Sequence, residues 1–210
     1  MVSKGKISSL TISRLSIYLR ALLEFQEKGK LSVSSGQIAK KVGSSAVQVR
    51  KDLSYFGSFG KKGCGYNIHE LVTNLKSILG LDHSWKVALI GLGRMGESMV
   101  MYKGFRESGF EITAIFEKDP EKIGGKFMNI PIYSIDEMPE VCEKMTILIA
   151  IVTVPAEAAF EVFQHALDAG IRGLLNLTGQ SGFIPPPHAF IKDVFMAAEI
   201  ETLSYYLTNF

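Results

Sequence analysis

The sequence predicts an α/β protein in two parts: a small helical N-terminal domain carrying a β-hairpin, and a larger open parallel sheet wound by helices on both faces. Three observations predict it. Charge divides along the chain, with 13 Lys+Arg against 5 Asp+Glu in residues 1–84 but 10 against 16 in residues 85–210. The basic part holds two short serine-capped helical patterns followed by a glycine- and lysine-rich stretch. The acidic part alternates buried-strand and helix patterns, and its first strand runs straight into Gly91-Leu92-Gly93-Arg94-Met95-Gly96. At 210 residues, 47% hydrophobic, the chain suits a small domain plus a medium one and is too apolar to be disordered. The expected boundaries are 1–80, a linker at 81–84, the sheet domain at 85–192 and a C-terminal segment at 193–210.

Several classes fall away. Cys64 and Cys142 are too few for a disulfide framework or a structural zinc site, and the four histidines are scattered. The longest apolar run, residues 145–154, is about half of the ~20 residues that a membrane span needs. Lys4 and Lys6 precede no apolar signal region. The expectation is a cytoplasmic protein with no membrane segment and no metal.

In the basic part, Ile12, Leu15, Leu19 and Leu22 recur at helical spacing, and the pattern fades at Glu27-Lys28-Gly29-Lys30. Ser34 to Gln37 and Ser45 to Gln48 each read Ser-x-x-Gln. In such a capping box the serine oxygen accepts from the amide three residues on, and the glutamine reaches back to the cap. Val42-Gly43 supplies the stop between the two helices. A helix followed by two short helices is the outline of a helix-turn-helix. In the second short helix Val49 and Leu53 face the core, while Gln48, Arg50 and Lys51 point elsewhere. Glutamine and arginine read base edges and lysine neutralises phosphate. The same residues also suit a solvated face.

Residues 55–67 then place Lys61 and Lys62 among glycines, between Tyr55, Phe56, Phe59 and Tyr66. That composition fits a hairpin with a basic tip, which makes the domain a winged helix with the wing along the DNA backbone or minor groove. A phosphate-holding nucleotide loop is the other use of such a stretch, but the P-loop spacing is absent.

After a helix beginning at Ile68, the strand Lys86-Val87-Ala88-Leu89-Ile90 leads into the glycine motif and a helix over 97–108. A second strand ends at Glu117, 21 residues beyond Gly96. G-x-G-x-x-G between strand and helix, with an acid about 20 residues on, is the fingerprint of a Rossmann-type dinucleotide fold. Gly91 permits the turn, Gly93 admits the pyrophosphate, Gly96 allows close helix–strand packing, and the helix N-terminus faces negative charge. Glu117 favours NAD over NADP because a carboxylate repels a 2′-phosphate; Arg94 and Lys118 pull the other way. A glycine turn in a generic α/β domain is the alternative.

The alternation continues with a helix capped by Ser134 and Glu137, a strand over 146–154, a helix over 156–169 and a strand over 171–177. Thr153 and Asn176 stand near C-terminal strand ends, where ligands of open sheets lie. They are candidates for the nicotinamide side, or simply caps for the loops that follow. Met196, Ile200, Leu203, Leu207 and Phe210 form an apolar stripe on a terminal helix, suited to folding back or to reaching a partner subunit.

An NAD-dependent dehydrogenase needs a substrate domain and a positioned acid–base group. Residues 85–195 are about what the nucleotide fold consumes, and neither His165 nor His188 has an evident partner. Cofactor binding joined to DNA binding, with little room for catalysis, reads as a regulator.

Specific runs carry a family resemblance. Ser34-Ser35, residues 48–53 (Gln-Val-Arg-Lys-Asp-Leu), residues 56–60, and Gly63-Cys64-Gly65-Tyr66 resemble the redox-sensing transcriptional repressors of bacteria called Rex. So do Tyr102-x-Gly104-Phe105, residues 119–124, residues 153–156 and residues 203–207, all in order. The resemblance implies a homodimer with N-terminal winged helices, Rossmann domains and an exchanged C-terminal helix. It further implies binding to an inverted-repeat operator, released when NADH rises. Carried onto this chain, the DNA-facing set is Ser34, Ser35, Ser45, Gln48, Arg50, Lys51, Lys61, Lys62 and Tyr66. The NAD(H) set is Gly91, Leu92, Gly93, Arg94, Met95, Gly96, Glu117, Lys118, Ile123, Thr153, Val154 and Asn176. Tyr102, Asp193, Phe195 and Met196 form the switch and dimer set.

The chain departs from the family where redox state is sensed. Asn-Val-Asp usually precedes the last helix; Asp193-Val194-Phe195 stands here, so Phe195 occupies the position of the switching acid. Leu177-Thr178-Gly179 follows Asn176 where the family commonly has Phe, then Ala or Thr, then Pro. Glu117 replaces an aspartate. Altered discrimination between NADH and NAD⁺ is the corresponding expectation.

Overall fold

The structure, a computed structural model, describes residues 7–60 and 65–209. It divides into two compact units, residues 1–83 and 84–210.

In the first unit, α1 (Ser9–Glu27) buries Leu15, Tyr18, Leu19 and Leu22 against α2 (Ser35–Val42), α3 (Ala46–Ser54) and α4 (Ile68–Ile78). Ser8 caps α1, Ser34 caps α2, Ser45 caps α3 and Asn67 caps α4, each accepting a backbone N–H of the first turn. The Ser34–Gln37 box closes in both directions. At Ser45 only half forms, because the Gln48 amide turns to Asp52 instead.

The hairpin also differs from expectation. Its described strand, β2 (Tyr66–Asn67), pairs antiparallel with β1 (Ser32–Val33), a two-residue partner too short to leave a period in the sequence. The arms of the loop still meet. A Cβ on Gly60 would come within 2.6 Å of the Gly65 carbonyl oxygen and 2.9 Å of the Tyr66 ring, so only glycine fits there. Lys61, Lys62 and Cys64 lie outside the described residues, as does Phe210.

The second unit is a seven-stranded sheet in the order β5-β6-β4-β3-β7-β8-β9. The strands are β3 (Trp85–Ile90), β4 (Phe110–Glu117), β5 (Lys126–Phe127), β6 (Ile130–Ser134), β7 (Ile149–Val152), β8 (Gly173–Asn176) and β9 (Phe190–Asp193). All pairings are parallel except β5 with β6. Leaving out the edge strand β5, this is the Rossmann order, reversing direction between β3 and β7. Alternate residues of β3 serve opposite faces. Ala88 and Ile90 pack with α7 (Met138–Met145) and α8 (Ala159–Asp168); Val87 and Leu89 pack with Met99, Val100 and Phe105 on the other side.

Two elements differ from their expected spans. The helix over 97–108 starts earlier and is split into α5 (Arg94–Met101) and α6 (Lys103–Glu107), because Tyr102, at ψ 103, leaves the helical region. The strand over 146–154 contracts to β7 because Thr146, at φ 58, ends α7 in a left-handed conformation. The terminal helix α9 (Met196–Asn209) buries no residue. Among the described residues no helix is long and apolar enough to cross a membrane, and no cluster of three or more metal-type ligands occurs.

Candidate functional site

In the first unit, α3 is held to α1 through a fully buried carboxylate. Asp52 accepts from Arg14 Nε at 2.6 Å and Tyr18 Oη at 2.8 Å on one oxygen. Its other oxygen accepts from Arg14 Nη2 at 2.7 Å and Gln48 Nε2 at 2.9 Å. Burial pushes the Asp52 carboxyl up, but the hydrogen bonds from Arg14, Tyr18 and Gln48 outweigh it and hold the group below its ordinary range. Burial, with Asp52 beside it, raises the Tyr18 phenol to about 12. This network was missed in the sequence, although Arg14/Tyr18 and Gln48/Asp52 are each i, i+4 pairs that share a helix face.

On the outer side of α3, Arg50 donates from Nη1 to Ser35 Oγ at 2.9 Å. Ser34, Ser35, Arg50, Ser54, Gly57 and Tyr66 border a groove of about 480 Å³. Burial raises the Tyr66 phenol while the charge of Arg50 opposes it. Lys51 is exposed beside this surface, and Ser45 is committed to the cap. The arrangement presents hydroxyls and a guanidinium on one side of the short helix pair.

In the second unit, a cavity of about 780 Å³ opens at the β3/β7 reversal, within the usual size of small-molecule and cofactor sites. Gly91, Gly93, Arg94, Met95, Glu117, Lys118, Thr153 and Val154 line it. Gly91 has φ 92, and a Cβ there would approach Val154 Cγ1 to 2.9 Å. A Cβ on Gly96 would run into the Gly91 carbonyl oxygen, whereas Gly93 faces open space. Two glycines therefore close the turn and the third leaves room above the start of α5. That cradle fits a pyrophosphate on backbone N–H groups at a helix N-terminus. Thr153 Oγ1 donates to the Gly91 carbonyl at 2.7 Å and so ties the two diverging strands together.

Glu117 is nine-tenths buried and turned toward the chain. Its Oε2 accepts from Leu92 N–H at 2.7 Å, and its Oε1 accepts from Lys118 and Asp119 N–H at 2.8 and 3.2 Å. The acid expected to meet ribose hydroxyls thus also clamps the glycine loop, the extra methylene of glutamate giving it the reach. Lys122, missed in the sequence, donates from Nζ to the Leu92 carbonyl at 3.0 Å and enters the same cavity.

Leu92 and Gly96 are buried behind the wall, and Ile123 lies outside it. Asn176 is 1% exposed and fully engaged. It donates to the Gln180 carbonyl and to Asp193 Oδ1, both at 2.6 Å, and accepts from Thr178 N–H and Oγ1. It caps the loop that follows, while Leu177 and Thr178 reach the cavity instead. Their positions were visible in the sequence as departures, but their place on the wall follows only from the Asn176-capped turn.

Tyr102 does not join that cavity. It is 52% exposed at the α5–α6 break, packs edge-on to Phe105 at 5.1 Å, and borders a separate hollow with Met101 and Met128. Asp193 is bound to Asn176, and Phe195 and Met196 are exposed at the start of α9.

A helix-turn-helix unit with strand support, followed by a doubly wound sheet with a phosphate-type glycine turn, defines the class: a winged-helix protein fused to a Rossmann-type domain. Residues 82–179 match a family described as "CoA binding domain", and residues 6–54 one described as "Putative DNA-binding protein N-terminus". The chain is 41% identical over 205 residues to a protein of Desulfitobacterium hafniense named redox-sensing transcriptional repressor Rex, covering 95% of each chain. The solved structure of RSP with NAD⁺ and operator DNA superposes with TM-score 0.89 at 31% identity, covering 97% of this chain and 94% of that one. RSP with NADH superposes with TM-score 0.86 at 30% identity, covering 97% and 95%. The chain belongs to the Rex family of redox-sensing transcriptional repressors.

Proposed function

We propose that this chain is a homodimeric transcriptional repressor that binds an inverted-repeat operator and releases it when NADH rises relative to NAD⁺. The observation that carries the reading is the presence, in one chain, of a helix-turn-helix with a polar outer face and a glycine cradle at a sheet reversal, along full-length similarity to Rex proteins. Ser34, Ser35, Arg50, Lys51, Tyr66 and the wing lysines 61 and 62 meet DNA. Gly91, Gly93, Arg94, Met95, Glu117, Lys118, Thr153 and Val154 hold NAD(H), whose nicotinamide supplies the redox signal as a one-charge difference. The exposed apolar side chains of α9, from Met196 to Leu207, support exchange of this helix between subunits. The protein is a regulator rather than a dehydrogenase and works in the cytoplasm.

Linkage sets the switch. NADH weakens DNA binding by the same factor by which DNA weakens NADH binding. A two-fold dimer reads a palindrome only while its recognition helices stay about one helical turn, or a multiple, apart, so a change in subunit arrangement releases the operator.

A second reading is favoured by one contact: reduced discrimination between NADH and NAD⁺. Asp193, two residues before Phe195, has Oδ1 committed to Asn176, which holds it in that contact rather than in the place of the missing carboxylate. Fluorescence anisotropy of a labelled inverted-repeat duplex, titrated with NADH and then NAD⁺ at one salt concentration, tests both. Release by NADH alone supports the redox repressor. Equal action of both nucleotides supports the second reading, and Phe195→Asp then restores the difference. A protein that binds neither duplex nor nucleotide overturns both.

A further inference from the structure

The buried network under α3 does more than fasten a helix. Asp52 is wholly enclosed, and hydrogen bonds keep it ionised, so it accepts only. Each of its oxygens already takes two hydrogens, which fills the four acceptor positions of a carboxylate. The Gln48 amide beside it therefore has one permitted orientation. Its NH₂ must face Asp52, because the reverse would set the amide oxygen against a carboxylate oxygen. Gln48 Oε1 is consequently directed away from the network, on a half-buried residue beside the exposed Val47 and Lys51.

We infer that Asp52 is a positioning residue for sequence readout, fixing Gln48 so that it presents a hydrogen-bond acceptor to the major groove. This rests on α3 being the helix that enters the groove. The base donors there are the exocyclic amines, N6 of adenine and N4 of cytosine; guanine and thymine offer acceptors. Gln48 Oε1 thus pairs with an amine-bearing base at its contact, a partner that guanine and thymine do not offer it. An unconstrained glutamine, free to flip, would present either its oxygen or its NH₂ in that place.

The test is a functional-group cycle between side chain and base. The probe is a duplex selected from a randomised pool by the wild-type protein. Its half-site positions are replaced one at a time by analogues lacking the exocyclic amine (purine for adenine, 4-deaminocytosine for cytosine) or lacking the N7 acceptor (7-deazapurines). Wild type and Gln48→Met are compared on every duplex, so that changes in DNA pairing cancel. The expected result is one position per half-site where amine deletion costs wild type roughly tenfold and costs Gln48→Met nothing. The salt dependence of binding stays the same in the two proteins, since phosphate contacts are untouched. If Gln48→Met is blind only to acceptor deletion, or to no deletion, the inference is overturned. Asp52→Asn, whose amide tolerates either orientation of Gln48, supplies the second arm. A folded Asp52→Asn protein is expected to lose most of the amine dependence, and one that keeps it in full removes Asp52 from the account. If Asp52→Asn does not fold, the Gln48→Met arm decides alone. A wild-type protein that selects no duplex refutes the DNA-binding reading itself, a distinct outcome.

Discussion

Replacing Arg14 by methionine isolates the energetics of the network that carries α3. Among the described residues, Arg14 supplies two of the four hydrogen bonds to Asp52, at 2.6 and 2.7 Å, and the only positive charge bonded to it. Removing one partner of a buried ion pair costs about 3–5 kcal/mol, because the remaining charge stays desolvated. The Arg14 side chain is 30% exposed, so water partly replaces it and the lower end, about 3 kcal/mol, applies. For a unit of this size that corresponds to a fall in melting temperature of roughly 15 °C, read by scanning calorimetry of the full chain. Hydrogen exchange should place the loss in α1 and α3. The pH dependence has a fixed sign. A carboxyl whose folded value is depressed contributes stability above its ordinary value near 3.8 and loses it as pH falls through the folded value. The gap between wild type and Arg14→Met is therefore full at pH 7 and shrinks below about pH 4. A shift under about 4 °C at pH 7, or a gap that persists unchanged into acid, would refute the reasoning.

Three further outcomes follow from the second unit. Gly96→Ala drives a Cβ into the Gly91 carbonyl oxygen and displaces the start of α5; NADH fluorescence titration should show binding weakened at least tenfold, and near-normal binding would remove the cradle. Glu117→Gln sets an NH₂ group against one of three backbone N–H donors, a loss of about 1–3 kcal/mol. Calorimetric titration should show NADH affinity falling by a comparable factor, and unchanged affinity would mean that the clamp is dispensable. Burial raises the Cys142 thiol to about 11, so at pH 8 it stays protonated; peptide mapping after iodoacetamide treatment should find it labelled only once the protein is unfolded, and labelling of the native protein would contradict its burial.

Local chemistry made much of this protein legible in its sequence. Serine caps, the apolar stripe of α1 and the strand–glycine–helix junction at 85–96 act over a few residues, so their patterns survive in one dimension. Eight of the twelve residues expected to hold a dinucleotide line the cavity at the β3/β7 reversal for the same reason: the glycine loop and the acid at the end of β4 have fixed spacings. What the tertiary structure alone decided is how polar groups are shared. Gln48 turns from its cap to Asp52, Glu117 clamps the Leu92 amide from the cavity wall, and Asn176 spends its whole amide on a loop and on Asp193. These choices depend on donors and acceptors brought from 2 to 25 positions away. Burial then leaves no water to compete for them. Sequence determines which groups are present and on which face of each element; only packing determines which partner each one reaches.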